Sequence, residues 1–266
     1  MKKFIGAFVS LLLVAALSGC GSVPANTVFS LDDLPGKTIG VQTNTTGDVF
    51  ASDYEDAEKY GENVATVERF KTGNDAIMAL KQGKIDCIIL DEQTAEAFVA
   101  GNKGLKILEE DFGPEDYAIC LKKGSELYAE INGALNELMQ NGTFQSIVDN
   151  YIGENAGKSP YKTPEGTEYT KGTLKMATNA YFPPYEYYEG GVVVGIDVDV
   201  AKAICDKLGY ELQIEDMDFE AIIGAVQSGK CDFGMAGMTV TEDRLKSVDF
   251  TDSYTQSKQV IIVRDK

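Results

Sequence analysis

Two stretches decide the fold: "MALKQGKIDCIILDE" at residues 78–92 and "GAVQSGKCDFGMAGM" at residues 224–238. Each carries the end of a run with helical spacing, a Gly-Lys turn, an aspartate and a short apolar segment. An apolar run of that length bounded by turn residues has the form of a strand covered on both faces. The same order in two places predicts two α/β units built alike, with strand ends facing a common cleft where open sheets of this kind bind ligands.

The rest of the chain extends that pattern. Strands are expected at 37–42, 87–91, 105–108, 173–179 and 232–237, and helices at 73–83, 197–208 and 220–228. Alternating strands and helices predict mostly parallel sheets with helices on both faces. Residues 125–153 show helical spacing interrupted at Asn141-Gly142 and so form a helix pair, and "DFG" at 111–113 ahead of Pro114 reads as a loop. Residues 153–172 are rich in Gly, Pro, Thr and charge and form a linker.

Composition excludes whole classes of chemistry. The 266 residues contain no histidine, which removes His-dependent triads and the commonest transition-metal ligand, and no cofactor or metal is expected. Five cysteines show no CxxC spacing; Cys87 and Cys231 lie in apolar runs as small hydrophobes. Lys2 and Lys3 before a short apolar run form an export signal, ending in Leu17-Ser18-Gly19-Cys20, which resembles the lipobox of bacterial lipoproteins. Cys20 is thus the expected lipidation point and membrane anchor, with the chain on the outer face of the cell membrane. Residues 1–19 carry two lysines and no acid, so their removal takes the net charge from −18 to −20. Such a charge disfavours nucleic acid as a partner.

Arginine is scarce, and Arg244 in "GMTVTEDR" (237–244) follows a small-residue strand end and a Thr-rich turn. A planar guanidinium there can grip a carboxylate through two donors, although an arginine beside Glu242 and Asp243 is also an ordinary solvated helix residue. Asp91, ending "CIILD", is a ligand for a cation or the N-cap of the helix that follows. Asp197 and Asp199 read as caps and a solvated first turn.

"TNAYFPPYEYYEGGVVVGIDVDVAKAICDKLG" (178–209) and "GMTVTEDRLKSVDFTDSY" (237–254) resemble the first lobe of the bacterial extracellular solute-binding proteins of family 3. "LDDLPGKTIGVQTNTTGD" (31–48), "LKQGKIDCIILDE" (80–92) and "INGALNELMQNGTFQSIVDNYIG" (131–153) resemble that family's second lobe and closing helices. The resemblance implies an α/β, two-lobed, type II periplasmic-binding-protein-like fold. It also implies a non-enzymatic lipoprotein that captures a free polar L-amino acid by lobe closure and delivers it to the permease of an ABC importer. A cyclohexadienyl-dehydratase-like enzyme and an amino-acid-sensing lipoprotein are the alternatives on the same scaffold.

The family's segments occur here in the order of a circular permutation. The expected division is 1–19 signal peptide, 20–27 tether, 28–118 second lobe, 119–152 hinge return and closing helices, 153–172 linker between the family's ordinary termini, and 173–266 first lobe. That order implies one covalent lobe crossing, near 116–122, and a loosened hinge. By the same resemblance Arg244 holds the ligand carboxylate with the backbone N–H groups of Thr239 and Thr46, beside Thr45. Asp91 takes the ammonium, with the Gly237 carbonyl and the Thr239 hydroxyl. Phe182 and Phe219 sandwich the side chain, and Asn179 and Gln42 read its tip; Asn44 stands where the family usually has glycine and is expected in the left-handed conformation.

Overall fold

The computed structural model describes residues 23–266; the signal segment and the Cys20 anchor lie outside the described residues. Two five-stranded sheets carry the two lobes. One runs in the order Thr66–Phe70, Thr38–Gln42, Cys87–Asp91, Thr255–Arg264, Leu105–Tyr117, and the other Glu211–Asp216, Thr173–Thr178, Phe233–Gly234, Cys120–Lys122, Val248–Phe250. In each, three strands are parallel and the last two join antiparallel, so the sheets are mixed. A small antiparallel sheet of Tyr181–Phe182, Glu186–Glu189 and Val192–Val194 sits on the second.

The repeated sequence has a physical counterpart. In one lobe the Asp86 carboxylate accepts the Thr38 N–H at 2.8 Å, and in the other the Asp232 carboxylate accepts the Lys175 N–H at 2.7 Å. Each aspartate ties the strand it precedes to the neighbouring parallel strand, Thr38–Gln42 or Thr173–Thr178, after a helix that ends at Lys81 or Ser228 and a glycine with positive φ. The strand Cys87–Asp91 is buried throughout, with Ile88 and Leu90 in one apolar cluster and Cys87 and Ile89 in another. Covering both faces is worth about 1.5–3 kcal/mol per large aliphatic side chain.

The helix pair forms as Tyr128–Gln140 and Thr143–Tyr151, broken by left-handed Gly142. Both pack on the helix Ile196–Leu208, and Tyr151 donates to Asp199 at 2.8 Å. The segment 153–172 holds no strand or helix, yet it is fastened down: the Tyr161 and Tyr169 hydroxyls both donate to Asp206, at 3.0 and 2.8 Å.

Several expectations need correction. The strand from Leu105 continues to Tyr117, through Asp111-Phe112-Gly113 and Pro114, because Thr255–Arg264 pairs along it with register shifts that absorb the irregular residues. The segment 173–266 divides between lobes, since Thr255–Arg264 lies inside the sheet of the other lobe. Two crossings therefore join the lobes, one at Ala118-Ile119 and one at 251–254. They are hydrogen-bonded to each other, Thr251 N–H to the Ile119 carbonyl at 3.0 Å and Tyr254 N–H to the Tyr117 carbonyl at 2.9 Å. A double crossing removes the expected loosening of the hinge. The tether is also docked from Pro24 onward: the Pro24 carbonyl accepts from Arg264 Nε at 2.9 Å, and Asn26 N–H donates to the Lys266 carbonyl at 3.0 Å.

Candidate functional site

A narrow cleft between the lobes is lined by Gln42, Thr45, Thr46, Asp91, Asn179, Phe182, Glu186, Phe219, Ala236, Gly237, Thr239 and Arg244. All ten residues singled out from the sequence as ligand-binding line this one cavity; Glu186 and Ala236 are additional. One lobe contributes Gln42 and Asp91 at the C-terminal ends of their strands and Thr45 and Thr46 at the start of the helix Thr46–Ser52. The other contributes Asn179 after Thr173–Thr178, and Ala236, Gly237 and Thr239 after Phe233–Gly234.

The loop before Thr46–Ser52 turns at Asn44, whose φ of 63° is the left-handed conformation expected of it. Its carbonyl accepts from Arg244 Nη2 at 2.9 Å across the lobes, while Arg244 Nη1 donates to the Thr239 carbonyl at 2.8 Å. The guanidinium lies 5.3 Å from the Phe219 ring centroid. Arg244 is therefore a fixed, stacked fork and not a solvated helix residue, in keeping with the planar geometry of its donors. Among the described residues, the N–H groups of Thr46 and Thr239 donate to no other protein atom.

Asp91 stands at the N-cap position of Glu92–Gly101 without making a side-chain cap bond; its carboxylate instead accepts the Tyr117 hydroxyl. Burial, reinforced by the nearby charge of Glu115, pushes the Asp91 carboxyl up to about 6. A desolvated carboxylate beside a cavity is short of a cationic partner. Gly237, at φ +52°, lies against the ring of Phe182; a Cβ there would sit 2.6 Å from Phe182 Cε1.

Two amides and a further buried acid also line the cavity. Gln42 Nε2 donates to the Lys71 carbonyl at 3.1 Å and to Asn179 Oδ1 at 2.9 Å, and Asn179 Nδ2 donates to the Met217 carbonyl at 2.8 Å. Those carbonyls fix both amide orientations, and the bonds use both donors of Gln42 and one of the two on Asn179. Glu186, on Glu186–Glu189, is fully buried, and burial together with a carboxyl–carboxyl hydrogen bond to Asp197 raises its pKa well above the ordinary value, so the two buried acids share a proton.

The sequence reading missed several charged and polar groups here. Asp197 is no solvated cap: it is buried, accepts Gly237 N–H at 2.8 Å and the Tyr254 hydroxyl at 2.9 Å, and is pushed by burial to about 6. Glu115, also buried, accepts from the hydroxyls of Thr46 at 2.8 Å and Thr239 at 3.2 Å and from Gln259 Nε2 at 3.1 Å. Glu186 and Glu115 sit in "PYEYYEGG" and "GPEDY", polar stretches whose local pattern signals a turn and not a core. Among the described residues no cluster of metal-binding side chains occurs and no helix is long and apolar enough to cross a membrane.

Residues 174–266 match the family model of the bacterial extracellular solute-binding proteins, family 3. An arginine-binding extracellular protein of Bacillus subtilis, ArtP, is 44% identical over 97 residues, covering 36% of this chain and 38% of its own length. A probable histidine-binding protein of Neisseria gonorrhoeae is 33% identical over 90 residues, 34% of each. Among solved structures, an ancestral arginine-binding protein bound to arginine is 51% identical over 32% of this chain and 38% of its own, with a TM-score of 0.32. The chain thus spans less than two fifths of the length of these relatives.

Proposed function

We propose that this chain, related through residues 174–266 to the bacterial extracellular solute-binding proteins of family 3, captures a free amino acid between its lobes outside the cytoplasm and hands it to an ABC importer. Arg244 and the unused N–H groups of Thr46 and Thr239 take the α-carboxylate. Asp91 takes the ammonium with the Gly237 carbonyl and the Thr239 hydroxyl, Phe182 and Phe219 hold the side chain, and Gln42, Asn179 and Thr45 complete the cavity. Opposite charges leaving water together must be paired, and Arg244 and Asp91 come from opposite lobes, so closure and charge pairing are one event.

The observation that carries this reading is that Arg244 and the buried carboxyl of Asp91, from opposite lobes, line one cavity together with the unused N–H groups of Thr46 and Thr239. The relative named for arginine, 44% identical over the residues it matches, points to a cationic side chain. L-arginine is therefore the first ligand to test. Anchoring through Cys20 and delivery to a permease belong to the same proposal, as does the circular permutation, which the bond from Asn26 N–H to the Lys266 carbonyl supports.

A thermal-shift screen over the common amino acids tests it. A ligand at one hundred times its dissociation constant should stabilise the protein by about 2.7 kcal/mol. No shift with any of them refutes the reading. A buried carboxyl in the cleft is also what a dehydratase acid requires; turnover of prephenate would establish that rival, and none would dispose of it.

A further inference from the structure

Glu115 touches both lobes from inside the cleft wall. A carboxylate can only accept, so the hydroxyls of Thr46 and Thr239 must each spend their single proton on it. Gln259 Nε2 donates both to the same Glu115 oxygen and to Thr46 Oγ1, each at 3.1 Å. Three donors thus converge on one buried oxygen. Thr46 and Thr239 also line the ligand cavity, where their hydroxyls have only lone pairs left to offer. Neither can then serve the α-carboxylate, which is left to Arg244 and the two backbone N–H groups. Thr239 carries both functions within one residue, an N–H for an anion and an oxygen that accepts from a cation.

We propose that Glu115 is a positioning residue that fixes the Thr239 hydroxyl as an acceptor and thereby makes the site select an ammonium over a hydroxyl at the α-carbon of the ligand. This rests on the amino-acid reading above. A ligand hydroxyl has one proton to share between Asp91 and Thr239, while an ammonium has three. The influence of Glu115 on Asp91 places its charge close to the same corner, where a cation relieves the repulsion between the two carboxylates.

The test is calorimetric titration of the whole protein with L-arginine and with its 2-hydroxy counterpart, 2-hydroxy-5-guanidinopentanoate. In Glu115→Gln the affinity for L-arginine should fall roughly tenfold or more while that for the hydroxy acid moves less than about threefold, so the preference narrows. Thr239→Val should narrow it to a similar degree, Thr239→Ser should retain it, and the Glu115→Gln/Thr239→Val pair should lose little beyond either single change. Equal weakening of both probes in Glu115→Gln and in Thr239→Val would mean a structural role and overturn the inference. So would an unchanged preference. If Glu115→Gln does not fold, the two Thr239 variants decide alone. Binding of neither probe by the wild-type protein would overturn the amino-acid reading and this inference with it, whereas binding of L-arginine with no effect on preference overturns this inference only.

Discussion

Asp91→Asn should strengthen the fold while abolishing the function. The carboxyl is raised from 3.8 to about 6, mainly by burial and next by the charge of Glu115. A group whose pKa is raised in the fold contributes stability that is fully present below its unfolded value and lost as pH rises through the folded one. The ionised Asp91 therefore costs the ligand-free protein about 3 kcal/mol at neutral pH, a loss that develops between about pH 4 and pH 6. Asparagine keeps an oxygen for the Tyr117 hydroxyl and removes the charge. The amide introduces donors of its own, so the informative quantity is the difference in stability between variant and wild type as a function of pH. It should grow by about 3 kcal/mol in favour of the variant from pH 4 to pH 7.5, roughly 6–12 °C in melting temperature for a chain of this size. The wild type should gain about 2.7 kcal/mol from saturating L-arginine and the variant almost nothing. Thermal melts across that pH range, with and without L-arginine, make the measurement. A difference that stays constant with pH would refute the electrostatic reasoning, and an undiminished ligand shift would refute the assigned role.

Three further outcomes are expected. Arg244→Lys should weaken L-arginine binding by about 2 kcal/mol by calorimetry and also lower the unliganded melt, because a lysine cannot hold the Thr239 and Asn44 carbonyls, the Phe219 face and a carboxylate at once. Glu186→Gln should gain stability over the wild type as pH rises, since the amide keeps a donor for Asp197 while the wild-type carboxyl, raised in the fold, contributes stability that is lost at higher pH. Thermal melts of both proteins from acid to neutral pH compare them, and a difference that does not change with pH would contradict it. Gly237→Ala should lower the melting temperature by several degrees, as φ +52° and the 2.6 Å approach to Phe182 together cost about 2 kcal/mol or more.

What could be read from sequence and what could not divide along a physical line. Asp91 is legible because four buried apolar positions lead to it, and the end of such a strand faces the cleft. Asn44 is legible because few side chains tolerate its conformation. Glu186, Glu115 and Asp197 are not, since burial of a charge is decided by the neighbours that tertiary structure brings, and locally each resembles a solvated acid. Thr255–Arg264 is apolar enough to read as a strand, yet nothing in its own residues says which sheet it enters. Its neighbours Cys87–Asp91 and Leu105–Tyr117 decide that, from more than a hundred residues away. A strand assigned to the wrong sheet hides the second crossing between lobes, so the sequence alone predicts a weaker hinge than the fold has.

The charges inside the cleft set the class of the proposed ligand, and its other walls must set the identity. Arg244 and Asp91 suit the two charges of any zwitterionic amino acid, so they confer class but not identity. Glu115 is already occupied by three donors and asks for little. Glu186 is spent on Asp197, the two buried acids sharing a proton, and so offers no free charge to a ligand side chain. What remains for the side chain is the rings of Phe182 and Phe219 and the hydrogen-bonded amides of Gln42 and Asn179. Discrimination between arginine and glutamine, two donors of similar reach, thus reduces to how those two amides meet the side-chain tip.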